Sequence, residues 1–148
     1  MQHNFDIIIS GAGLAGLVTA VAFGRAGFDV LCVDPALPVT ERDKPGADLR
    51  STAFLQPARD FLVSLGLWDH LSTHATPLEV MQIMDAGAGD KTPRVTKQFE
   101  ARDISELPFG WNLPNWLLRR EILKILHQLP NVTLRSGIAS VGLFTRLK

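Results

Sequence analysis

The chain has 148 residues, of which 46% are hydrophobic and 20% charged, enough for one compact core with little left for a second. Fifteen basic residues balance fifteen acidic ones, which excludes both the basic surface of a nucleic-acid binder and the acidic bias of a disordered tail. A lone cysteine, Cys32, can form neither an internal disulfide nor a thiolate zinc site, so a reducing compartment is expected, the cytoplasm first.

Phe5 to Ser10, centred on three consecutive isoleucines, reads as a short strand buried on both faces, as in a parallel sheet. From Ile7 to Gly24 no residue is charged, the shortest length for which a membrane span must be considered. Glycines interrupt that stretch and no Lys or Arg precedes it within Met1 to Asp6, so neither a span nor a signal peptide is expected. Leu14 to Ala26 reads instead as a tightly packed helix closed by Gly27, and Asp29 to Val33 as a second strand. Together they form a strand–helix–strand unit with an expected right-handed crossover.

Residues 35–49 carry Pro35, Pro38, Pro45 and Gly46 among charged side chains and read as a loop; one of this length usually serves a function. Pro57 to Leu65 reads as a helix ended by Gly66, with Leu67 folding back on its last turn. Leu78 to Asp85 and Arg94 to Ala101 are expected strands of a hairpin, with Asp85 to Asp90 as the turn region. From Asn115 to Leu129 the apolar Leu118, Ile122, Leu126 and Leu129 recur at helical spacing, with Asn115 as N-cap and Pro130 as the stop. A further strand begins at Val132. The expected fold is α/β and Rossmann-like, with a parallel sheet and an inserted β-hairpin.

The chemistry lies at the first turn. Gly11-Ala12-Gly13-Leu14-Ala15-Gly16 is G-x-G-x-x-G between a strand and a helix, and Asp34 follows at the end of the next strand, 23 residues beyond Gly11. In a dinucleotide site Gly11 permits the tight turn, Gly13 lets the backbone approach a pyrophosphate, and Gly16 lets the helix pack closely on the sheet. The helix N-terminus then holds the phosphates, while Asp34 accepts from a ribose diol and repels a 2′-phosphate. The competing reading is a plain strand-to-helix turn with Asp34 capping a loop. The pattern leaves open whether the adenine nucleotide belongs to FAD or NAD.

Two further blocks carry a resemblance. Asp48-Leu-Arg-Ser-Thr-Ala53 with Ser64-Leu-Gly-Leu-Trp-Asp69, and Asn115-Trp-Leu-Leu-Arg-Arg-Glu-Ile-Leu123, resemble the N-terminal half of the FAD-dependent aromatic hydroxylases of ubiquinone biosynthesis, in the para-hydroxybenzoate hydroxylase-like class. The resemblance implies FAD as cofactor, contacted by Arg50 and Asn115, with Arg119 a further candidate. It implies NAD(P)H as electron donor and oxygen transfer to an electron-rich aromatic or polyprenylated ring, carried out by the flavin, so no side chain of this stretch is expected to be catalytic. Peripheral contact with the inner membrane and with proteins of the ubiquinone pathway is also implied. Trp116 stands where that family has Arg, and Asp34 where Glu is commoner. The family's downstream Asp-Gly and Gly-Asp segments have no counterpart, so residues 1–148 read as the amino-terminal portion of an FAD-binding domain. The alternatives are an NAD-dependent dehydrogenase domain and a non-catalytic nucleotide-binding module.

Other constellations are weaker. His70 and His74 lack a third ligand and read as a solvated loop or helix end, so no metal is expected. Cys32 reads as a small buried hydrophobe. Arg50, without the resemblance, is a surface arginine. Arg119 and Arg120 near a helix start, where the dipole favours an acid, fit an anionic ligand or ordinary solvation equally. Phe109, Trp111 and Trp116 fit packing under a loop better than an aromatic substrate pocket. The absence of a G-x-S-x-G elbow, a P-loop or a C-x-x-C pair leaves hydrolase, NTPase and thioredoxin chemistry without support.

Overall fold

A computed structural model describes residues 4–87, 92 and 94–137. The chain forms two compact units, Met1–Leu49 with Asn115–Lys148, and Arg50–Pro114.

In the first unit, β1 (Ile7–Ser10), α1 (Leu14–Arg25), β2 (Val30–Asp34), α4 (Asn115–Leu126) and β8 (Val132–Ser136) follow the expected order. The three strands form a parallel sheet with β2 central, Ile7 in register with Val30 and Val30 with Val132. This is the expected α/β arrangement, and it buries Val30 and Cys32 completely. Against the sheet lies α1, with Leu17, Ala20 and Val21 fully buried, and α1 also packs on α4. Of the anticipated stripe, Leu118, Ile122 and Leu126 are at most 1% exposed, whereas Leu129 is half-buried and lies past the helix, which ends at Leu126 rather than running on to Leu129. Burying each fully enclosed side chain contributes about 1.5–3 kcal/mol.

The end of α1 shows why Gly27 stands where it does. Its φ of +91° is the left-handed conformation that closes a helix, with Gly27 N–H donating to Gly24 O and Phe28 N–H to Phe23 O. The Phe23 and Phe28 rings meet edge to face at 5.8 Å across this closure. Gly24 serves packing instead: a Cβ there would lie 2.3 Å from Val132 Cγ2. Asn131, not singled out by its local sequence, donates its amide to Gly24 O and Phe28 O, both at 2.8 Å.

The second unit contains β3 (Ser51–Leu55), α2 (Gln56–Ser64), α3 (Trp68–Leu71), a 3-10 turn (Ser72–His74), β4 (Thr76–Leu78), β5 (Val80–Asp85), β6 (Val95–Glu100), a second 3-10 turn (Ala101–Asp103) and β7 (Gly110–Pro114). Gly66, at φ +58°, ends α2 as expected, and Leu67 N–H returns to Leu62 O, burying both leucines. The hairpin forms with Val80 opposite Glu100 and Asp85 opposite Val95; residues 88–90 of its expected turn lie outside the described residues. The antiparallel sheet β3-β7-β4 was not anticipated. Its strands are three to five residues long, two contain proline, and β3 finds its partner β7 far along the chain. Gly110 permits that pairing, since a Cβ there would come within 2.3 Å of Phe54 O.

Candidate nucleotide-binding site

The G-x-G-x-x-G turn joins β1 to α1. Gly11 has φ +105°, a conformation that strongly favours glycine, and its N–H donates to Val33 O at 2.7 Å, stitching the turn to β2. At Gly16 a Cβ would lie 1.9 Å from Gly11 O and 3.5 Å from Ile9 Cγ2. The expectation of close helix-to-sheet packing is thereby refined: the tightest contact is with the carbonyl of the turn itself. Gly13 differs from both. Its φ of −68° suits any residue, and nothing lies within 4 Å of where its Cβ would be. Neither backbone strain nor a protein neighbour asks for glycine there. The backbone is left open to approach at this point.

As N-cap, Gly13 leaves α1 with no side-chain cap and no acidic residue in its first turn. The opening N–H groups, carried by Gly13, Leu14, Ala15 and Gly16, thus meet no competing carboxylate, and the helix dipole favours an anion at this end. Ala12 is used differently. Its side chain is buried and its N–H donates to Asp34 Oδ2 at 2.7 Å. Asp34 Oδ1 accepts from Ala36 N–H at 3.0 Å. Asp34 therefore caps its own loop, as the competing reading held, and also braces the glycine turn. Each carboxylate oxygen accepts more than one bond, so the outward lone pairs remain suited to a diol. Hydrogen bonds from Ala36 and then Ala12 hold its carboxyl below the ordinary value, with the positive charge of Arg119 adding to them, so it is an anion at neutral pH. Behind it, burial and then the Asp34 charge push the Cys32 thiol up, and its Sγ lies 3.6 Å from Gly11 O. A neutral, buried thiol behind the turn matches the packing role expected of Cys32.

In the same unit Asn115 opens α4, 6% exposed, and its amide donates to Asp48 Oδ2 at 3.0 Å. Arg119 reaches the same oxygen at 3.4 Å, while Arg120 and Lys124 hold the buried Glu121 at 2.7 and 2.9 Å. Each arginine has a protein carboxylate as partner, Asp48 for Arg119 and Glu121 for Arg120, which offsets its charge near the helix start. Trp116 packs under the Arg120 guanidinium at 5.3 Å.

The remaining singled-out residues belong to the second unit. Arg50, exposed, immediately precedes β3. Trp111 packs edge to face on Trp68 at 5.3 Å, with Arg59 over both rings, which is the packing use expected of it. His70 and His74 are exposed at the end of α3 and in the turn after it. Among the described residues, no three His, Cys, Asp or Glu side chains converge to hold a metal ion, and no helix is long and apolar enough to cross a membrane.

Comparison with known proteins decides between the dinucleotides. Residues 4–133 match the FAD binding domain family. The chain belongs to that family. Its dinucleotide is therefore FAD. The chain is 31% identical over 129 residues to the ubiquinone hydroxylase UbiL of Rhodospirillum rubrum, covering 87% of this chain and 28% of that protein. It is 27% identical over 136 residues to the 3-(3-hydroxy-phenyl)propionate/3-hydroxycinnamic acid hydroxylase of Escherichia coli, covering 89% and 22%. Among solved structures, p-nitrophenol 4-monooxygenase PnpA from Pseudomonas putida superposes with a TM-score of 0.67 at 22% identity, over 88% of this chain and 31% of that one, a likeness of fold. The FAD binding domain described here thus spans less than a third of the length of these relatives.

Proposed function

We propose that the chain is the amino-terminal, FAD-holding portion of a flavin-dependent monooxygenase that hydroxylates an aromatic ring, and that the ring is a polyprenylated precursor of ubiquinone. The observation that carries the FAD reading is Gly13, whose backbone lies open at the N-terminus of a helix with no side-chain cap, with no protein atom within 4 Å of where a Cβ would stand. The finer substrate reading rests on the similarity to a ubiquinone hydroxylase and on the Asp48 to Ala53 block.

In this reading the amides from Gly13 to Gly16 hold the diphosphate, Ala12 and Gly11 shape the turn, and Asp34 accepts from the ribose. The resemblance adds Asn115, Arg119 and Arg50 as further candidates for contact with FAD. When bound, FAD supplies the redox chemistry: NAD(P)H gives two electrons, one atom of dioxygen becomes the new hydroxyl and the other leaves as water. The chain's own residues bind and orient, and none of them acts as a nucleophile or base.

The test is the absorbance of the protein made from the complete reading frame that carries this sequence. Flavin bands, or their appearance on adding FAD, are expected; a purified protein with neither sinks the reading. Supplied with NAD(P)H, it should hydroxylate a polyprenyl phenol faster than hydroxyphenylpropionate, scored by product mass, and the opposite preference would discard the ubiquinone assignment while keeping FAD.

A further inference from the structure

Asp48 has no part in the nucleotide fingerprint, yet it is tied to α4 at three points. Its Oδ2 accepts from Asn115 Nδ2 at 3.0 Å and from an Arg119 terminal nitrogen at 3.4 Å, and its carbonyl oxygen accepts from Trp116 N–H at 3.2 Å. The side chain of Asp48 is 10% exposed and that of Arg119 20%, so solvent screens this pair weakly. The first turn of α4 has no acid of its own, and Asp48 supplies from a distant segment the negative charge favoured there. Arg119 is only partly engaged: one terminal nitrogen contacts Asp48, while its Nε is buried without a partner. Its charge also reaches the nucleotide side, being among those that stabilise the Asp34 carboxylate.

We infer that Asp48 is a positioning residue for the FAD site, holding the Asn115 amide and the Arg119 guanidinium in one fixed arrangement so that Arg119 presents its remaining donors to the cofactor. The inference rests on the FAD reading above. It extends that reading to a residue that touches no nucleotide and acts through a charge-assisted pair, the kind of contact in which carboxylate and carboxamide are not interchangeable. A purely structural role, holding the start of α4 through Asn115, makes the opposite demand, because an asparagine at 48 still offers an oxygen to that amide.

The experiment is an FAD titration of the full protein by quenching of flavin fluorescence, with thermal unfolding of the same samples. Asp48→Asn should weaken FAD about tenfold or more, the scale of one charged hydrogen bond, with little change in melting temperature. Asp48→Glu should restore part of the loss. In an Arg119→Met background, itself weakened, Asp48→Asn should add nothing further. Unchanged or tighter binding by Asp48→Asn overturns the inference, as does an equal loss in both backgrounds. Wild-type protein with no affinity for FAD would overturn the parent reading as well, so the two failures are told apart by the wild-type titration.

Discussion

Replacing Gly13 and Gly16 separately by alanine should split folding from cofactor binding. At Gly16 the added Cβ would sit 1.9 Å from Gly11 O and 3.0 Å from Gly11 C, both backbone atoms that no rotamer change can move. Relief requires a shift of roughly 1 Å or more of the turn, and forced overpacking of this kind typically costs about 1–3 kcal/mol or somewhat more. Alanine inside α1 returns about 0.5–1 kcal/mol through helix propensity. The net effect is a loss of about 1–2 kcal/mol with a displaced turn, so Gly16→Ala should lower both the melting temperature and the FAD affinity. At Gly13, with φ −68° and nothing within 4 Å, alanine meets no protein atom. Its folding cost is a few tenths of a kcal/mol, from the poorer N-cap. If the FAD diphosphate approaches this backbone, however, the methyl occupies the approach and binding should weaken by about 1–3 kcal/mol, roughly 5- to 150-fold. Thermal unfolding of the apoprotein and flavin titration of both variants form the assay. Normal FAD affinity in Gly13→Ala would refute the reasoning, because the glycine would then have no ligand to serve.

Asp34→Ala should weaken FAD by about 1–3 kcal/mol in calorimetric titration, and an unchanged value would remove Asp34 from the ribose. Asp34 also makes an acid-stability prediction. Hydrogen bonds from Ala36 and Ala12 lower its folded pKa beneath the ordinary 3.8, so its contribution is fully present above that value and is lost as pH falls through the lowered one. The stability gap between wild type and Asp34→Asn should therefore narrow between about pH 5 and pH 2 in acid-unfolding curves, and a constant gap would contradict the assignment. Burial pushes the Glu121 carboxyl up, but hydrogen bonds from Lys124 and Arg120 outweigh it and leave it lowered. Glu121→Ala should cost about 1–3 kcal/mol in denaturant unfolding, and a neutral result would show that the three-residue cluster is held by solvent rather than by its carboxylate. Gly24→Ala should destabilise by about 1–2 kcal/mol through its clash with Val132 Cγ2, and Val132→Ala in the same chain should recover part of that loss.

The legible parts of the chain were those whose cause is local. A strand of isoleucines, a glycine turn and an alanine-rich helix are contiguous within about thirty residues, the usual compass of one βαβ unit. The two glycine helix ends were visible as well, because the left-handed conformation at Gly27 and Gly66 and the return of Phe28 and Leu67 involve neighbours along the chain. So was the buried stripe of α4. The turn at Gly11 was visible too, because its φ of +105° answers a demand of the turn itself.

What escaped depended on distance along the chain. Sheet β3-β7-β4 pairs Ser51–Leu55 with Gly110–Pro114, and strands so short carry too little pattern to reveal a partner that far away. The arginines of α4 looked like a mismatch at a helix start until folding brought Asp48 to Asn115 and Arg119. The tie between Ala12 N–H and the Asp34 carboxylate has no local signal either. Periodicity and turn chemistry act between residues a few positions apart, and they suffice for the helices, the nucleotide turn and the class of cofactor. Charge compensation and non-local strand pairing are set only when the chain closes on itself, so the bracing of Asp34 and the setting of Arg119 belong to the tertiary structure alone.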